Sequence, residues 1–372
     1  MKRDMFVKKL VKWIMLVANI VAAISLLMTL VGTVVSPVKL IIPAYFALLY
    51  PIILITNIGF VLFWIFTRKW FFLISLSLMI LSANEISNTF PIHVGNLNKT
   101  KIVTPIKLLS YNTKMSGDLV KDVPQKRNNV IRYASESNAD IICLQEFEVS
   151  LKKQYITLPD MMKFFKKYPY KHIEFKGESH TSMYGIATFS KYPIVGRQQV
   201  KYTSRYNMSI FTDINVNGTT IRLINNHLES NRITESDRAK SVQLKEKFDP
   251  ENLTDITLLF SRKLGTAYKL RSNQADTIAD IIAKSPYKVI VCGDFNDVPA
   301  SYAYTKIKGS LKDAFSETGL GFGWTFKEPF YGFRIDYMLY DSSAFTPRNF
   351  EVDHVNYSDH YPISCQFNIN KI

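Results

Sequence analysis

The chain begins with three long uncharged apolar runs and continues with short apolar runs separated by polar residues. The three long runs cover residues 13–35, 40–67 and 70–84. The first two exceed the roughly 20 residues that a helix needs to cross the hydrocarbon core of a bilayer. The third has only 15 residues, but it directly follows Arg68 and Lys69, whose long side chains can reach the bilayer surface. The pattern therefore predicts a transmembrane region over residues 1–84, with three helices.

Two alternatives affect the expected compartment. A cleaved signal peptide also begins with an apolar run, but this run has 23 residues and a second apolar run follows at once. Five basic residues precede the first run, whereas the first loop carries Lys39 alone. Because basic residues favour cytoplasmic loops, we expect a multi-pass membrane protein with an extracytoplasmic remainder. If residues 70–84 lie in the bilayer interface instead, the same rule places the remainder in the cytoplasm.

Past the apolar region, the pattern predicts a linker over residues 85–104 and a folded domain over residues 105–372. Strands are expected at residues 106–112, 139–146, 184–190, 209–215, 220–227, 288–295, 334–340 and 361–369. Helical spacing is found at residues 126–137, 234–248 and 263–284. Asn217 and Gly218, between two of the strands, are a strong signal for a two-residue hairpin. Interspersed strands and helices predict an α/β sandwich in which helices cover packed sheets.

The amino-acid composition indicates which partners to expect and whether zinc sites or disulfides are present in the pattern. The chain has 46 basic and 31 acidic residues, a formal net charge of +15. Such a balance suits anionic partners, namely phosphates, nucleic acid or lipid headgroups, and does not choose among them. The three cysteines lie inside apolar runs without a CxxC or Cys/His pattern, so the sequence indicates neither a structural zinc site nor a disulfide framework.

Polar side chains at or near strand ends carry the candidate chemistry. They are Asn112, Glu146, His227, Asp294, Asn296, Asp336, Asp359 and His360. One such residue alone is more often a turn or cap residue, but the repeated pattern predicts convergence at one edge of a sheet. Carboxylates and amides without thiolates suit Mg²⁺ or Mn²⁺, and histidines can transfer protons. A metal that polarises a phosphoryl oxygen and a carboxylate that activates water suffice for phosphoester hydrolysis.

Six short motifs resemble those of the endonuclease/exonuclease/phosphatase superfamily. They are SYN (110–112), LQE (144–146), NHLES (226–230), GDFN (293–296), RIDY (334–337) and SDHYP (358–362). The resemblance covers residues 105–371. It implies a four-layered α/β sandwich, with two packed mixed β-sheets flanked by helices, and metal-dependent cleavage of a phosphoester.

The resemblance also implies roles for the metal-binding and water-activating residues. Glu146 resembles the main metal ligand, with Asn112 and Asp359 nearby. Asp294 resembles the group that orients or deprotonates the attacking water. Asn296 is expected to hold a phosphate oxygen or the nucleophile.

The remaining implied roles concern the histidines and their neighbours. His360, paired with Asp336, is expected to bond the scissile phosphate and stabilise the charge of the transition state. His227 is expected to be a second phosphate contact or the acid to the leaving group. Glu229 is more simply a backbone-bonding residue, and Arg334 either neutralises substrate phosphate or pairs with a carboxylate.

The motifs leave the substrate open. The basic charge favours a membrane-anchored nuclease or general phosphodiesterase. The alternative is a hydrolase of phospholipid headgroups, in which the partly apolar residues 251–264 contact the bilayer; a non-catalytic membrane scaffold is the third hypothesis. Residues 184–190 lack the carboxylate that deoxyribonuclease I places there as partner to its acid histidine. No obligate protein partner is predicted.

Overall fold

The computed structural model describes residues 2–92, 105–118, 128–233, 237, 250–327 and 332–370. Within these ranges a helical region precedes two mixed six-stranded β-sheets with their own helices. The helices of the first region are α1 Lys2–Val34, α2 Ile42–Leu48, α3 Tyr50–Phe66, α4 Phe72–Leu81 and α5 Ala83–Thr89.

This N-terminal helical region differs from the three predicted membrane spans. Over the described residues, α1 is the one helix that is long and apolar enough by itself to cross a bilayer. The second apolar run forms α2 and α3, which bend by 78° at their junction. Pro51 explains the break, because in a continuous helix its ring would clash with the carbonyl of Ala47. The third run forms only the ten-residue α4, so the helix lengths do not support a multi-pass crossing.

Polar side chains lie inside this helical region and join its helices. Asn19 of α1 donates to Ser75 of α4 at 2.6 Å and accepts from the indole N–H of Trp64 at 2.8 Å. Asn57 of α3 donates to the carbonyl of Ala22 at 3.0 Å. Many large apolar side chains of α1 and α3 are exposed instead. Buried polar side chains therefore join α1, α3 and α4, while apolar side chains form much of the outer surface of α1 and α3.

The two sheets contain all the strands of the described residues. Their bounds are β1 Pro105–Asn112, β2 Ile141–Ser150, β3 Tyr170–Glu178, β4 Ser182–Ser190, β5 Ile194–Gln199, β6 Met208–Val216, β7 Thr219–His227, β8 Lys288–Asp294, β9 Lys312–Asp313, β10 Asp336–Tyr340, β11 Phe345–Val352 and β12 Ile363–Ile369. The strand orders are β11-β12-β1-β2-β4-β3 in the first sheet and β5-β6-β7-β8-β10-β9 in the second. The pairs β1–β2 and β7–β8 are parallel, and the other described pairs are antiparallel.

Six helices accompany the sheets. They are α6 Lys114–Asp118, α7 Asn129–Glu136, α8 Leu158–Phe164, α9 Pro250–Ala283, α10 Tyr302–Lys308 and α11 Ala314–Thr318. Helices α7 and α8 pack on the outer face of the first sheet, and α9 and α10 on that of the second. One apolar core lies between the sheets and includes Leu108, Ile290 and Phe367. A second lies under α7 and α8, and a third under α9 and α10. This arrangement confirms the predicted sandwich of two mixed sheets with helices.

Local signals predicted several elements well. Asn217 and Gly218 join β6 to β7 with φ values of 51° and 95°, as a two-residue hairpin requires. Helix α9 extends the helix predicted at residues 263–284 back to Pro250. The predicted helix at residues 234–248 lies outside the described residues except for Asp237, and so does most of the predicted linker. The described part of that linker includes the end of α5.

The N-terminal helical region packs against the sandwich. Ala300, in the loop after β8, is buried in one apolar cluster with Leu26, Tyr50 and Ile53. The carbonyl of Asn88 in α5 accepts a hydrogen bond from the Arg334 guanidinium. The two parts of the chain therefore share buried contacts.

Candidate active site

Three neighbouring strands of the second sheet bring together their terminal polar residues. In the parallel pair of β7 and β8, His227 lies opposite Asp294, and in the antiparallel pair of β8 and β10, Asp336 lies opposite Asp294. Asn112, at the end of β1 in the other sheet, donates to the Asp294 carboxylate at 2.9 Å. The predicted convergence at a sheet edge thus occurs where the two sheets face each other.

Glu146 reaches this edge because β2 is irregular there. The pairing register of β2 with β4 shifts between Leu144 and Phe147, and Glu146 has a positive φ of 51°. Such a bulge turns a side chain away from its regular face. Glu146 Oε1 lies 3.3 Å from Asn112 Nδ2 and 3.6 Å from His227 Nε2. In a regular strand, the Glu146 carboxylate would not be expected to point towards Asn112 and His227.

His360 is held by the carboxylate predicted to be its partner. Its Nδ1 lies 2.9 Å from Asp336 Oδ2, and its Nε2 lies 3.7 Å from Asp294 Oδ2. The hydroxyl of Thr325 accepts the backbone N–H of Asp336 at 3.1 Å, and the Phe326 ring packs 4.9 Å from the imidazole. The ring is thereby fixed with Nε2 directed towards the Asp294 carboxylate.

The GDFN turn places Asp294 and Asn296 together. Asn296 has a positive φ of 53°, and its backbone N–H donates to Asp294 Oδ1 at 2.7 Å. Its side-chain amide donates to the carbonyl of Leu228 at 2.9 Å and to Asp294 Oδ2 at 3.2 Å. Gly293 has φ 119°, and a Cβ there would lie 2.0 Å from the Asn226 carbonyl oxygen. A glycine is therefore required before the aspartate.

Asp359 lies at the more open side of the same cavity. Its side chain is 37 % exposed and its Oδ2 lies 3.8 Å from the Lys114 ammonium. Its neighbour Ser358 donates to the carbonyl of Asn112 at 2.9 Å, which joins the SDHYP loop to the end of β1. Asp359 lines the cavity together with Glu146 and His360.

Burial and nearby charges shift the pKa values of four groups in this cluster, three of them upward and one downward. Burial raises the pKa of Glu146, and burial together with the Asp336 carboxylate raises the pKa of Asp294 to about 6. Burial lowers the pKa of His227. Burial also disfavours the charged form of His360, but the carboxylates of Asp336 and Asp294 outweigh it and raise its pKa to about 10. At neutral pH, His360 is therefore an imidazolium.

The carboxylates and amides at this edge fit a hard divalent cation. Ligand atoms of Asp294, Asp336 and His360 lie within 4.8 Å of one another, a different set from the predicted ligands. His360 and Asp336 already satisfy each other by a hydrogen bond, and Asp294 accepts hydrogen bonds from Asn112 and Asn296. The carboxylates of Glu146 and Asp359, which line the cavity, are therefore the donors most available to a cation. Burial raises the pKa of Glu146, and a bound cation would oppose that shift by favouring the carboxylate.

The structure adds one site contact that no motif indicated. The side-chain amide of Asn207, which is 1 % exposed, lies 2.9 Å from His227 Nε2. Asn207 immediately precedes β6, and its only sequence signal is a polar residue at the start of a strand. Residues 184–190 offer no carboxylate, and Asn207 contacts this ring nitrogen instead.

Two other polar residues have structural contacts. Glu229 is buried, accepts from Ser204 at 2.6 Å and pairs with Arg232. Arg334 pairs with Asp313 at 2.7 Å. Of the two roles expected for Arg334, the structure shows the pairing with a carboxylate, whereas the Glu229 side chain bonds a hydroxyl and a guanidinium instead of backbone groups.

Comparisons with known proteins found two family models and several solved structures that are similar to this chain. A model of the Endonuclease/Exonuclease/phosphatase family matches residues 109–360, and a model described as a domain of unknown function matches residues 11–89. An endonuclease/exonuclease/phosphatase from Beutenbergia cavernae is 14 % identical, with a TM-score of 0.50 over 72 % of each chain. The human Nocturnin catalytic domain with bound sulfate is 17 % identical, with a TM-score of 0.46 over 72 % of this chain and 95 % of that chain. A family protein from Leptotrichia buccalis is 17 % identical, with a TM-score of 0.49 over 70 % of this chain and 99 % of that chain.

No curated protein matches the chain. At 14 % identity, the similarity to the Beutenbergia cavernae protein concerns the fold alone.

Proposed function

We propose that this chain, which belongs to the Endonuclease/Exonuclease/phosphatase family, is a membrane-anchored hydrolase of phosphoesters that requires Mg²⁺ or Mn²⁺. Residues 105–372 are its catalytic domain. The observation that carries the proposal is the meeting of two histidines with buried carboxylates, since His227 and His360 each place Nε2 within 3.8 Å of Asp294 Oδ2. That geometry suits attack of water on a phosphorus atom.

The metal-binding role is assigned to Glu146, with Asn112 and Asp359 beside it. Glu146 and Asp359 line one cavity, and Asn112 lies within hydrogen-bond distance of Glu146. When bound there, the cation supplies positive charge that polarises a phosphoryl oxygen and stabilises the negative charge of the transition state.

Asp294 is the group that takes the proton from the attacking water. Its pKa near 6 leaves it ionised at neutral pH yet basic enough to accept a proton. Asn296 holds the carboxylate from two sides and can bond the water or a phosphate oxygen.

The two histidines have different protonation states and therefore different roles. His360, held as an imidazolium by Asp336, donates through Nε2 to a phosphate oxygen whose negative charge grows in the transition state. His227, whose pKa is lowered by burial, is neutral and forms a second contact to the phosphate or to the leaving group.

The membrane part of the proposal rests on α1. Residues Met5–Val34 of α1 include an 18-residue stretch with a mean hydropathy of 2.5, and basic residues lie at the N-terminal end of the helix. We assign it as an anchor with a cytoplasmic N-terminus, so that the catalytic domain lies on the extracytoplasmic side. This topology is tested by fusing a reporter enzyme after residue 100. We expect a reporter that is active only outside the cytoplasm to be active in the fusion.

Hydrolysis is tested with the full-length chain in detergent micelles. Bis(4-nitrophenyl) phosphate and 4-nitrophenyl phosphate are supplied after chelation, with and without added Mg²⁺ or Mn²⁺. We expect metal-dependent release of nitrophenol. Absence of turnover of both esters with either metal would favour the scaffold hypothesis instead.

Asp294→Asn provides the matched test of the site. Removing the proton acceptor is expected to reduce kcat by at least about 10²-fold. Asp280→Asn, the same substitution at an exposed residue of α9, should leave kcat unchanged. Equal activity of both variants would contradict the role given to Asp294.

A further inference from the structure

The catalytic cavity has an acidic side and an apolar side. Its volume is about 560 Å³. Glu146, Asp294 and His360 line one part of it, and apolar side chains line another. These apolar side chains include Leu48, Phe260, Leu264, Phe326, Phe333 and Ile335. Leu48 belongs to α2, so the N-terminal helical region forms part of the wall of the cavity.

Helix α2 reaches the cavity because it packs on α9. The hydroxyl of Tyr45 in α2 donates to the carbonyl of Ser261 at 2.8 Å, and its ring meets the Tyr268 ring edge-on at 5.7 Å. Gly265 permits this approach, since a Cβ there would lie 2.7 Å from the Tyr45 hydroxyl oxygen. Leu48 follows Tyr45 by about one helical turn and so lies on the same side of α2.

The apolar wall continues along the chain into exposed apolar surface. Directly after Leu48, Leu49 is 49 % exposed, Ile52 is 65 % exposed and Ile55 is 62 % exposed. On α9, Leu258 is 48 % exposed, one to two turns before Leu264. A lipid that contacts this exposed apolar surface would therefore meet the cavity at Leu48.

The described residues that line the cavity contribute few cations. Apart from His360, these cations are Arg232 and Arg271. Arg232 pairs with Glu229, and Arg271 pairs with Asp297 at 3.1 Å. Nucleic-acid sites use lysine and arginine side chains to follow the phosphate backbone. In the described part of the lining, both arginines are instead paired with carboxylates of the chain itself.

We propose that the substrate is an amphipathic lipid phosphoester, and that Leu48 of α2 with Phe260 and Leu264 of α9 determines this specificity. The phosphate lies in the cavity against His360 and beside Glu146 and Asp294, and an acyl or alkyl chain lies against the apolar wall. The N-terminal helical region is then part of the substrate site as well as an anchor. This inference rests on the proposed phosphoester hydrolysis.

Two esters that differ only in their apolar part test the inference on the full-length chain in micelles. 4-Nitrophenyl methyl phosphate and 4-nitrophenyl decyl phosphate share the reacting group and the leaving group. We expect kcat/KM to be at least about tenfold higher for the decyl ester, because each methylene in an apolar pocket adds to transition-state binding. No turnover of either ester overturns the hydrolase function, whereas equal turnover overturns only the lipid specificity.

Variants of the apolar wall test whether this wall causes the preference for the decyl ester. Leu48→Asn and Leu264→Asn are each expected to lower the decyl-to-methyl ratio of kcat/KM by about tenfold. Leu320→Asn, the same substitution at an exposed position outside the cavity and away from α2 and α9, should keep the wild-type ratio. Because all variants are assayed in the same micelles, partition of the decyl ester affects them equally. An unchanged ratio in both wall variants contradicts the assignment.

A nucleotide ester tests the competing hypothesis that the substrate is a nucleic acid. The 4-nitrophenyl ester of thymidine 5′-phosphate carries the same leaving group on a nucleoside. We expect it to be hydrolysed with a lower kcat/KM than the decyl ester. A higher value would overturn the lipid assignment in favour of a nuclease.

Discussion

The buried ion pair of Arg334 and Asp313 offers a sharp test of how the N-terminal helical region is joined to the site. Their side chains are 2 % and 0 % exposed, and Arg334 Nη1 lies 2.7 Å from Asp313 Oδ2. Arg334 also donates to the carbonyl of Asn88 in α5 and lies two residues before Asp336. Asp313 accepts from the Tyr304 hydroxyl at 2.8 Å. The pair therefore connects α5 to the strand that positions His360.

Asp313→Asn removes the negative charge and keeps the shape of the side chain. The amide oxygen can still accept from Tyr304, but the guanidinium of Arg334 is left buried without its counter-charge. Leaving such a charge unpaired costs about 3–5 kcal/mol in the free energy of unfolding. At roughly 2–4 °C per kcal/mol for a domain of this size, the melting temperature should fall by about 6–20 °C.

Thermal unfolding of the full-length chain in detergent, followed by near-UV circular dichroism, measures this change. Asp280→Asn is the control, because its pair with Lys284 is exposed and should contribute at most about 0.5 kcal/mol. The double variant Asp313→Asn with Arg334→Met should recover part of the loss, since it also removes the buried charge. If Asp313→Asn melts within about 2 °C of Asp280→Asn, corresponding to less than about 1 kcal/mol, the buried-charge argument is wrong.

Three further predictions concern the site itself. Gly293→Ala should lower the free energy of unfolding by more than about 2 kcal/mol, because its Cβ would meet the Asn226 carbonyl; a native melting temperature would refute this. Asp336→Asn should lower the pKa of His360 from about 10, so that kcat falls as pH rises through the neutral range while the wild type keeps its imidazolium; identical pH–rate profiles would contradict the pairing. Glu146→Gln should raise the Mn²⁺ concentration for half-maximal activity by at least about tenfold, measured by titration after chelation, and an unchanged midpoint would remove Glu146 from the metal site.

Much of the sandwich could be predicted because its signals are local. Strands β1, β7 and β8 are apolar runs that end in polar residues, and Asn217-Gly218 specifies a hairpin through backbone preferences of two adjacent residues. The convergence of Asn112, His227 and Asp294 followed from the same pattern. Strand direction and register then place these ends side by side.

In the N-terminal helical region, hydropathy alone was not enough to predict where the helices begin and end. Residues 40–67 are uncharged throughout, so composition cannot distinguish one span from two helices. Pro51 was visible in the sequence, but whether a proline kinks or breaks a helix depends on what packs around it. Here the chain bends by 78° and α2 packs on α9 through Tyr45.

The sequence by itself determined the apolar N-terminus, the succession of strands and the set of acids, amides and histidines that suits phosphoester chemistry. Only the tertiary structure decided that Glu146 turns inward at a bulge, that Asn207 contacts His227, and that Leu48 lines the catalytic cavity. The physical reason is distance along the chain. Tyr45 and Ser261 are 216 residues apart, and no local preference of either residue encodes a contact that exists only when both surfaces are already folded.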